Sequence, residues 1–409
     1  MEANTQAEEI CNQIEKIPTP MHFIQESRKI LLSKGFTELS VTEYWDKIPN
    51  KFFVVRDEKN IVAISMKDTK GGLIFTTCID APCLKYSTNG SLINSGSEQV
   101  KAISHGQGNW QSWEDRDLRI AGRVLINNNG KIESTLFVLP GAIGYIQPSG
   151  KQQVTSKSND ELIQFPIFSY LSNDGKSQLT TQMLVSEISK HLETSPENII
   201  DFEITFYDSN PPKLIGPNHN ILASPRITDL STSLAALQSF AESEEPSNGL
   251  NGFVGFSSDV DYTGPESNLL SRVLDIIGCK ASFYPNSLVV TCHNVHGDNP
   301  AYDKFIDNDH PVKLGNGIYY YWSTSDFDSV DIIRQIAEKI NVKLSPMVSR
   351  NNGKKTFGEI FAEKYGIRTV EVGIPVWGMF SARETCNVND IETLNKFFKS
   401  AYALYHQIQ

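Results

Sequence analysis

Apolar and polar positions follow two rhythms along this chain, and the change of rhythm divides it. Up to about residue 90, MHFIQESRKILLSKG places apolar residues at helical spacing and stops at Gly35, after which FFVVRD, NIVAISM and LIFTTCI are near-continuous apolar runs of strand length. From 91 to 220 the runs are short and broken by Gly, Asn and Ser (RIAGRVLINNNGK, STLFVLPG, DFEITFYDS), with one helical stretch, TTQMLVSEISKHLE. From 221 to 409 helix and strand patterns alternate again through TSLAALQSFAES, NGFVGFSSDV, NSLVVTCHNV, VDIIRQIAEKI, RTVEVGIPVW and TLNKFFKSAYALYHQ. Such alternation predicts an α/β unit with a largely parallel sheet covered on both faces. The middle third reads as an inserted, mostly β domain.

Composition narrows the partners. A formal charge of -11 without a cluster of Lys or Arg excludes nucleic acid and an anionic membrane as main partners, since both require a basic face. The 39 % of apolar residues never gathers into the ~18-residue run of a membrane span. Six cysteines without a CxxC pair do not form a disulfide framework. With a polar N-terminal stretch that carries no apolar h-region, the expectation is a cytoplasmic protein.

Several predicted strands end in polar residues: Cys78 and Asp80, Asp259 and Asp261, and Cys292, His293 and His296. Strand ends on one edge of an α/β sheet are where sites form. In TTCIDAPCLK, residues 76 to 85, Cys78 could be a metal ligand or simply a buried residue, and spacing does not decide between them. Walker-type, GxGxxG, GxSxG, CxxC and HExxH signatures are absent.

A set of longer strings carries more information. PTPMHFIQE, DAPCLK, WQSWEDRDLRIAGRV, NDELIQFPI, DFEITFYDSNPPKLIG, ASPRITDL and GIRTVEVGIPVWGMFSARE together resemble the M18 metallopeptidases, the aspartyl aminopeptidase family, in family order over essentially the whole chain. The resemblance implies a mixed central sheet covered by helices, as in zinc aminopeptidases, and an inserted β-rich dimerisation domain. The expected division is therefore 1–90 and 221–409 for the catalytic-type domain and 91–220 for the insert.

The same resemblance implies a two-zinc site in which two metals hold a water, a glutamate takes its proton and the scissile carbonyl is polarised. The residues standing at the family's positions are different. The first ligand, written His-x-Asp-Ser-Pro in the family, is Cys78, while the aspartate that orients it is kept as Asp80. The bridging aspartate is Thr228, the Glu-Glu pair of base and ligand falls on Asp259 and Val260, and a slip of one residue would bring Asp261 near. A later aspartate ligand matches His293, with His296 at the family's histidine, and the last histidine ligand is Phe380. Further family histidines correspond to Pro148 and Asn299 and a lysine to Leu314, whereas Tyr321 is kept. The expectation is that no metal binds, and that Asp80 and Asp259 remain as non-functional traces of the catalytic set.

Structural roles account for the other polar groups. Asp80 is expected to turn the chain, and His293 and His296 to be hydrogen-bonded core residues. Asp115, Arg116 and Asp117 are expected to form a buried ion-pair network. Cys83 and Cys279 are read as packing residues, and Trp110 and Trp113 as core or interface anchors. Three functions follow: an inactive M18 homologue acting as a structural or regulatory subunit, which leads; an active aminopeptidase for N-terminal Asp or Glu with an altered zinc site; and a non-catalytic peptide-binding protein. Self-association through 91–220, with other proteins in a larger assembly, is the expected partnership.

Overall fold

The computed structural model describes residues 2–94, 97–146, 164–170, 180–257, 269–305, 309–322, 325–348 and 357–408. Pro148, Asp259, Val260 and Asp261 lie outside the described residues.

The apolar runs form the middle of a nine-stranded mixed sheet. Lys51–Arg56, Asn60–Met66, Gly72–Cys78, Leu250–Phe256, Ser287–Cys292 and Arg368–Gly373 are buried along almost their whole length, as strands covered on both faces must be. One cover is made by the helices Ile227–Glu242 and Val388–Ile408, whose Phe240, Phe398 and Tyr402 meet Phe75 and Phe253 of the sheet. The other includes the helix Leu269–Ile276, packed on Phe52, Val54, Ile64 and Val289.

A second, antiparallel sheet contains Cys83–Asn94, Ser97–His105, Asp117–Asn128, Lys131–Val138, Gln164–Tyr170 and Ile199–Asp208. Its strands mix buried with exposed positions, and one face meets its own core around Trp113, Ile120, Phe137 and Phe206. Its first strand begins at Cys83, ahead of residue 91. A third, five-stranded sheet joins Lys213–Ile215, Ile221–Ser224, Glu384–Asn387, Pro375–Trp377 and Val295–His296.

RTVEVGIPVW, read above as one strand, is two. Arg368–Gly373 belongs to the central sheet and Pro375–Trp377 to the third. A side chain at Gly373 would place its Cβ 2.0 Å from the His293 carbonyl oxygen, so glycine permits this crossing of backbones. Ile374 N then donates to the buried Asn294 Oδ1 (3.0 Å) instead of continuing the ladder.

Four adjacent strands, Leu250–Phe256, Gly72–Cys78, Ser287–Cys292 and Arg368–Gly373, run parallel. Phe256 stands opposite Cys78, and Cys292 opposite Thr77 and Val372, so their C-terminal ends open on one edge of the sheet.

Candidate functional site

That edge gathers Cys78, Asp80, Ser257 and His293. Asp80 is 7 % exposed and its carboxylate is fully engaged: Oδ1 accepts from Ala81 N (2.9 Å), and Oδ2 lies 2.8 Å from both Ser257 Oγ and His105 Nε2. Burial pushes its pKa up, yet the bonds and charge of His105, with Lys85 and Ser257, outweigh burial and hold it below the usual carboxylate range. Residues 79–82 form no turn, so Asp80 does not have the turning role expected for it; its carboxylate instead ties the central sheet to the second sheet through His105. The Cys78 thiol contacts the Asp80 carbonyl oxygen at 3.5 Å.

The helix Ile227–Glu242 opens with Thr228, Asp229, Ser231, Thr232 and Ser233 all buried. Ser231, Thr232 and Ser233 return hydroxyl bonds to Ile227 O, Asp229 O and Asp229 O. Thr228 turns instead to Glu384: its N and Oγ1 donate to Oε2 and Oε1 of that carboxylate, each at 2.7 Å. Phe380 N donates to Glu384 Oε1 as well (2.6 Å). Burial lifts the Glu384 pKa to about 7 even against these bonds. Asp229 is raised well above the ordinary range by burial, then by the charges of Glu384 and Asp80.

Phe380 has a left-handed backbone (φ 63°), held by its N–H bond to Glu384 and by Asn109 N donating to its carbonyl (2.9 Å). A non-glycine residue takes that conformation at a cost, so the surroundings dictate it. Its ring centroid is 6.4 Å from that of His293 and 6.3 Å from that of His296. His293 Nδ1 lies 2.9 Å from Asn294 O and 3.3 Å from Tyr321 Oη, whose hydroxyl also donates to Asn294 O (2.8 Å). Burial lowers the pKa of His293, and the partial cover over the exposed His296 ring lowers that of His296. Beneath them, the Asn294 amide donates to Thr228 O (2.9 Å) and Ser231 Oγ (2.8 Å), clamping this strand end to the helix.

His293 is hydrogen-bonded as expected. His296 is not a core residue: it ends a two-residue strand at the surface, with Phe380 against one side of its ring. The ion-pair network expected at Asp115, Arg116 and Asp117 is not buried either. Asp115 and Asp117 are exposed, Asp115 takes the Tyr145 hydroxyl, and only Arg116 reaches a buried carboxylate, Asp208 at 3.5 Å. Asp115 sits in a left-handed turn (φ 61°) and Asp117 opens a strand at an exposed position, so the two carboxylates stay at the surface. Trp113 is a core anchor with Trp110 packed beside it, Cys83 is buried, and Cys279 packs half-buried with its thiol pushed up to about 12 by burial. Asn299 caps a turn through Ala301 N (3.0 Å), and Leu314 lies in a turn before the strand Ile318–Tyr321 rather than in it.

His105, Asp229, Ser257, Asn294 and Glu384 were not singled out from the sequence. Glu384 was visible at the end of GMFSARE and Asp229 beside Thr228, but neither string reveals which partner a carboxylate finds.

A family model described as "Aminopeptidase I zinc metalloprotease (M18)" matches residues 13–402. The chain belongs to this family. Aspartyl aminopeptidase 1 of Schizosaccharomyces pombe is similar to it, 27 % identical over 444 aligned residues that cover 96 % of this chain and 93 % of that one. A "Probable M18 family aminopeptidase 2" of Azotobacter vinelandii is 26 % identical over 411, covering 94 % and 95 %. The chain in a structure titled "Cryo-EM structure of the Ape4 and Nbr1 complex" superposes with a TM-score of 0.90 at 25 % identity, covering 100 % of this chain and 87 % of that one. Chaetomium thermophilum mApe1 superposes at 0.88 and 21 % identity, covering 99 % of each, which supports the fold. This is thus an M18 aspartyl aminopeptidase-like protein with the mixed α/β fold expected above.

M18 aminopeptidases are zinc metalloproteases. Among the described residues, no three His, Cys, Asp or Glu side chains come together in a way that could hold a metal ion. Thr228 offers a hydroxyl already given to Glu384, and Phe380 offers no donor. The described residues alone therefore do not fit a two-zinc centre.

Proposed function

We propose that this M18 aspartyl aminopeptidase-like chain is a non-catalytic family member that serves as a structural or regulatory subunit of an assembly. The observation that carries this reading is Phe380: an apolar ring packs between His293 and His296 on a backbone pinned by Glu384. A two-metal hydrolase needs charged donors on both sides of its water. Here Thr228 and Phe380 occupy positions at which the family resemblance places a bridging carboxylate and a histidine, and Cys78, Val260 and His293 occupy the others. Asp80 then keeps a structural bond to His105, and Asp259 is read as a shortened remnant of the base.

The assembly half of the proposal draws on relatives. One structural neighbour is titled a complex of Ape4 with Nbr1, and another "Structure of S. cerevesiae mApe1 dodecamer". We assign self-association to the inserted domain of 91–220, between catalytic-type segments 1–90 and 221–409, and place the protein in the cytoplasm. Six free cysteines suit a reducing compartment, and no helix among the described residues is long and apolar enough to cross a membrane.

The test is metal content and turnover. Purified protein should carry well under one zinc per chain by elemental analysis and should not hydrolyse Asp- or Glu-aminoacyl substrates, with or without added zinc. Stoichiometric zinc with chelator-sensitive hydrolysis would establish the active, altered-site enzyme instead. Native mass measurement should show a dimer or larger particle, and a strict monomer at micromolar concentration would remove the assembly role.

A further inference from the structure

A second polar centre lies behind the site, where the N-terminal segment 17–20, the second sheet and the start of the helix Ile227–Glu242 meet around a cavity of about 30 Å³. Arg226, Trp113 and Tyr207 line it. Trp113 and Tyr207 are each 3 % exposed, and the indole Nε1, the phenol Oη and two guanidinium nitrogens, Arg226 Nε and Nη1, are sealed from solvent without a hydrogen-bond partner. Only Nη2 of Arg226 is satisfied, by Ile14 O at 3.2 Å. Buried donors without partners are rare in native proteins, and several around one cavity call for an occupant that accepts hydrogen bonds.

The charge around them points the same way. Arg226 Cζ lies 5.2 Å from the Tyr207 ring centroid, and the Arg119 guanidinium carbon 5.4 Å from it. Two carboxylates, Asp80 and Asp208, also line the cavity, and each is held by other partners: Asp208 by Arg116 and the backbone of Asn210, Asp80 by Ala81, His105 and Ser257. Glu15, nearby, pairs with Arg119 (2.5 Å). His22, next to Arg226, carries no positive charge near neutral pH because burial holds its pKa at about 4. A partly buried guanidinium, with Nε and Nη1 sealed from solvent, thus stands without a contacting counter-charge, which a water would solvate but not neutralise.

We propose that this cavity binds a single chloride-sized monovalent anion, held by Arg226, Trp113 and Tyr207, which locks the N-terminal segment and the second sheet onto the central domain. The volume admits one or two particles of water size, given that a water needs roughly 10–15 Å³, and so excludes an organic carboxylate or phosphate.

Two measurements test it. In crystals grown with bromide in place of chloride, an anomalous peak is expected against Arg226, Trp113 and Tyr207; a peak of water size without anomalous signal overturns the proposal. In solution at constant ionic strength, replacing gluconate by chloride should raise Tm along a saturating curve. At ten times Kd the folded-to-unfolded ratio should rise about elevenfold, as mass action requires. Trp113→Phe, which keeps an aromatic ring but removes the N–H, should weaken the apparent Kd, and Arg226→Met should abolish the response. Should Arg226→Met not fold, Trp113→Phe and the bromide crystals decide. A bromide peak combined with an unchanged chloride response in Trp113→Phe marks an adventitious ion only and overturns the assignment.

Discussion

Returning the family aspartate to the bridging position, Thr228→Asp, should destabilise the protein in a strongly pH-dependent way and should not recruit zinc. Thr228 Oγ1 lies 2.7 Å from Glu384 Oε1, and the two residues are 1 % and 2 % exposed. The substitution replaces a hydrogen-bond donor by a second carboxylate about 4 Å away, and at an effective dielectric near 20 the repulsion is about 4 kcal/mol. A proton shared by the pair relieves that repulsion, so at pH 8.5 the loss is limited to the roughly 2 kcal/mol needed to keep Glu384, of pKa about 7, protonated 1.5 pH units above it. A chain of 409 residues has an unfolding entropy of roughly 0.9 kcal/mol per degree, so Tm should fall by about 2–3 °C at pH 8.5 if the whole chain melts together. Glu384 titrates at about 7, and the added anion would push it higher. At pH 5.5 it is protonated, donates to the new carboxylate, and most of the loss should vanish. Differential scanning fluorimetry of wild type and variant at the two pH values, with and without zinc, reads this directly. An equal Tm loss at both pH values would refute the electrostatic reasoning, and zinc restoring the Tm would show that the donors for a metal are present after all.

Other outcomes follow from the same contacts. His22, with Nδ1 2.7 Å from Thr19 Oγ1, has its pKa lowered from 6.5 to about 4, so the unfolded chain binds the extra proton and stability is lost as pH falls from 6.5 towards 4. Linkage gives about 2 kcal/mol by pH 5, and His22→Gln should lack that share of the Tm change between pH 7 and 5; an unchanged pH response would disprove it. His105→Ala leaves the buried Asp80 carboxylate short of its strongest partner, a loss of about 1.5–3 kcal/mol or about 2–3 °C in Tm, and a Tm within 0.5 °C of wild type would count against the Asp80–His105 tie. Cys78→His combined with Phe380→His should still bind less than one zinc per chain by elemental analysis, because Thr228 remains given to Glu384; stoichiometric uptake would contradict this.

The central sheet was legible because strands buried on both faces must be continuously apolar, and FFVVRD, NIVAISM and LIFTTCI are written that way. The break inside RTVEVGIPVW was not, since periodicity carries no trace of the approach between Gly373 and the His293 carbonyl. At the site, the strings located Cys78, Thr228, His293 and Phe380, and the parallel register explains why strand ends so far apart in sequence share an edge. What stayed hidden was the pairing. Asp80 finds His105 on a different sheet, and Thr228 finds Glu384 across 156 residues, contacts set by packing rather than by any local pattern. The Asp115–Arg116–Asp117 run misled for the complementary reason: three alternating charges resemble a network, yet both carboxylates stay exposed and only Arg116 reaches a buried partner.

These pairings bear on how the pocket could regain chemistry. Three of the polar groups under the edge are already committed: Glu384 to Thr228 and Phe380, Asn294 to the helix and to Ile374, Asp80 to His105 and Ser257. A substitution that supplies one metal donor also removes a partner from a buried group, which costs more than the net value of the bond itself. Thr228→Asp strands Glu384, and a histidine in place of Phe380 inherits the left-handed backbone while giving up the ring contacts with His293 and His296. Groups that act as a unit in a two-metal hydrolase are strongly non-additive, so intermediate variants lose stability before any turnover compensates. If the pocket is non-catalytic as proposed, it should therefore be locked in by its own hydrogen bonds, and stability rather than activity is what single changes there will move.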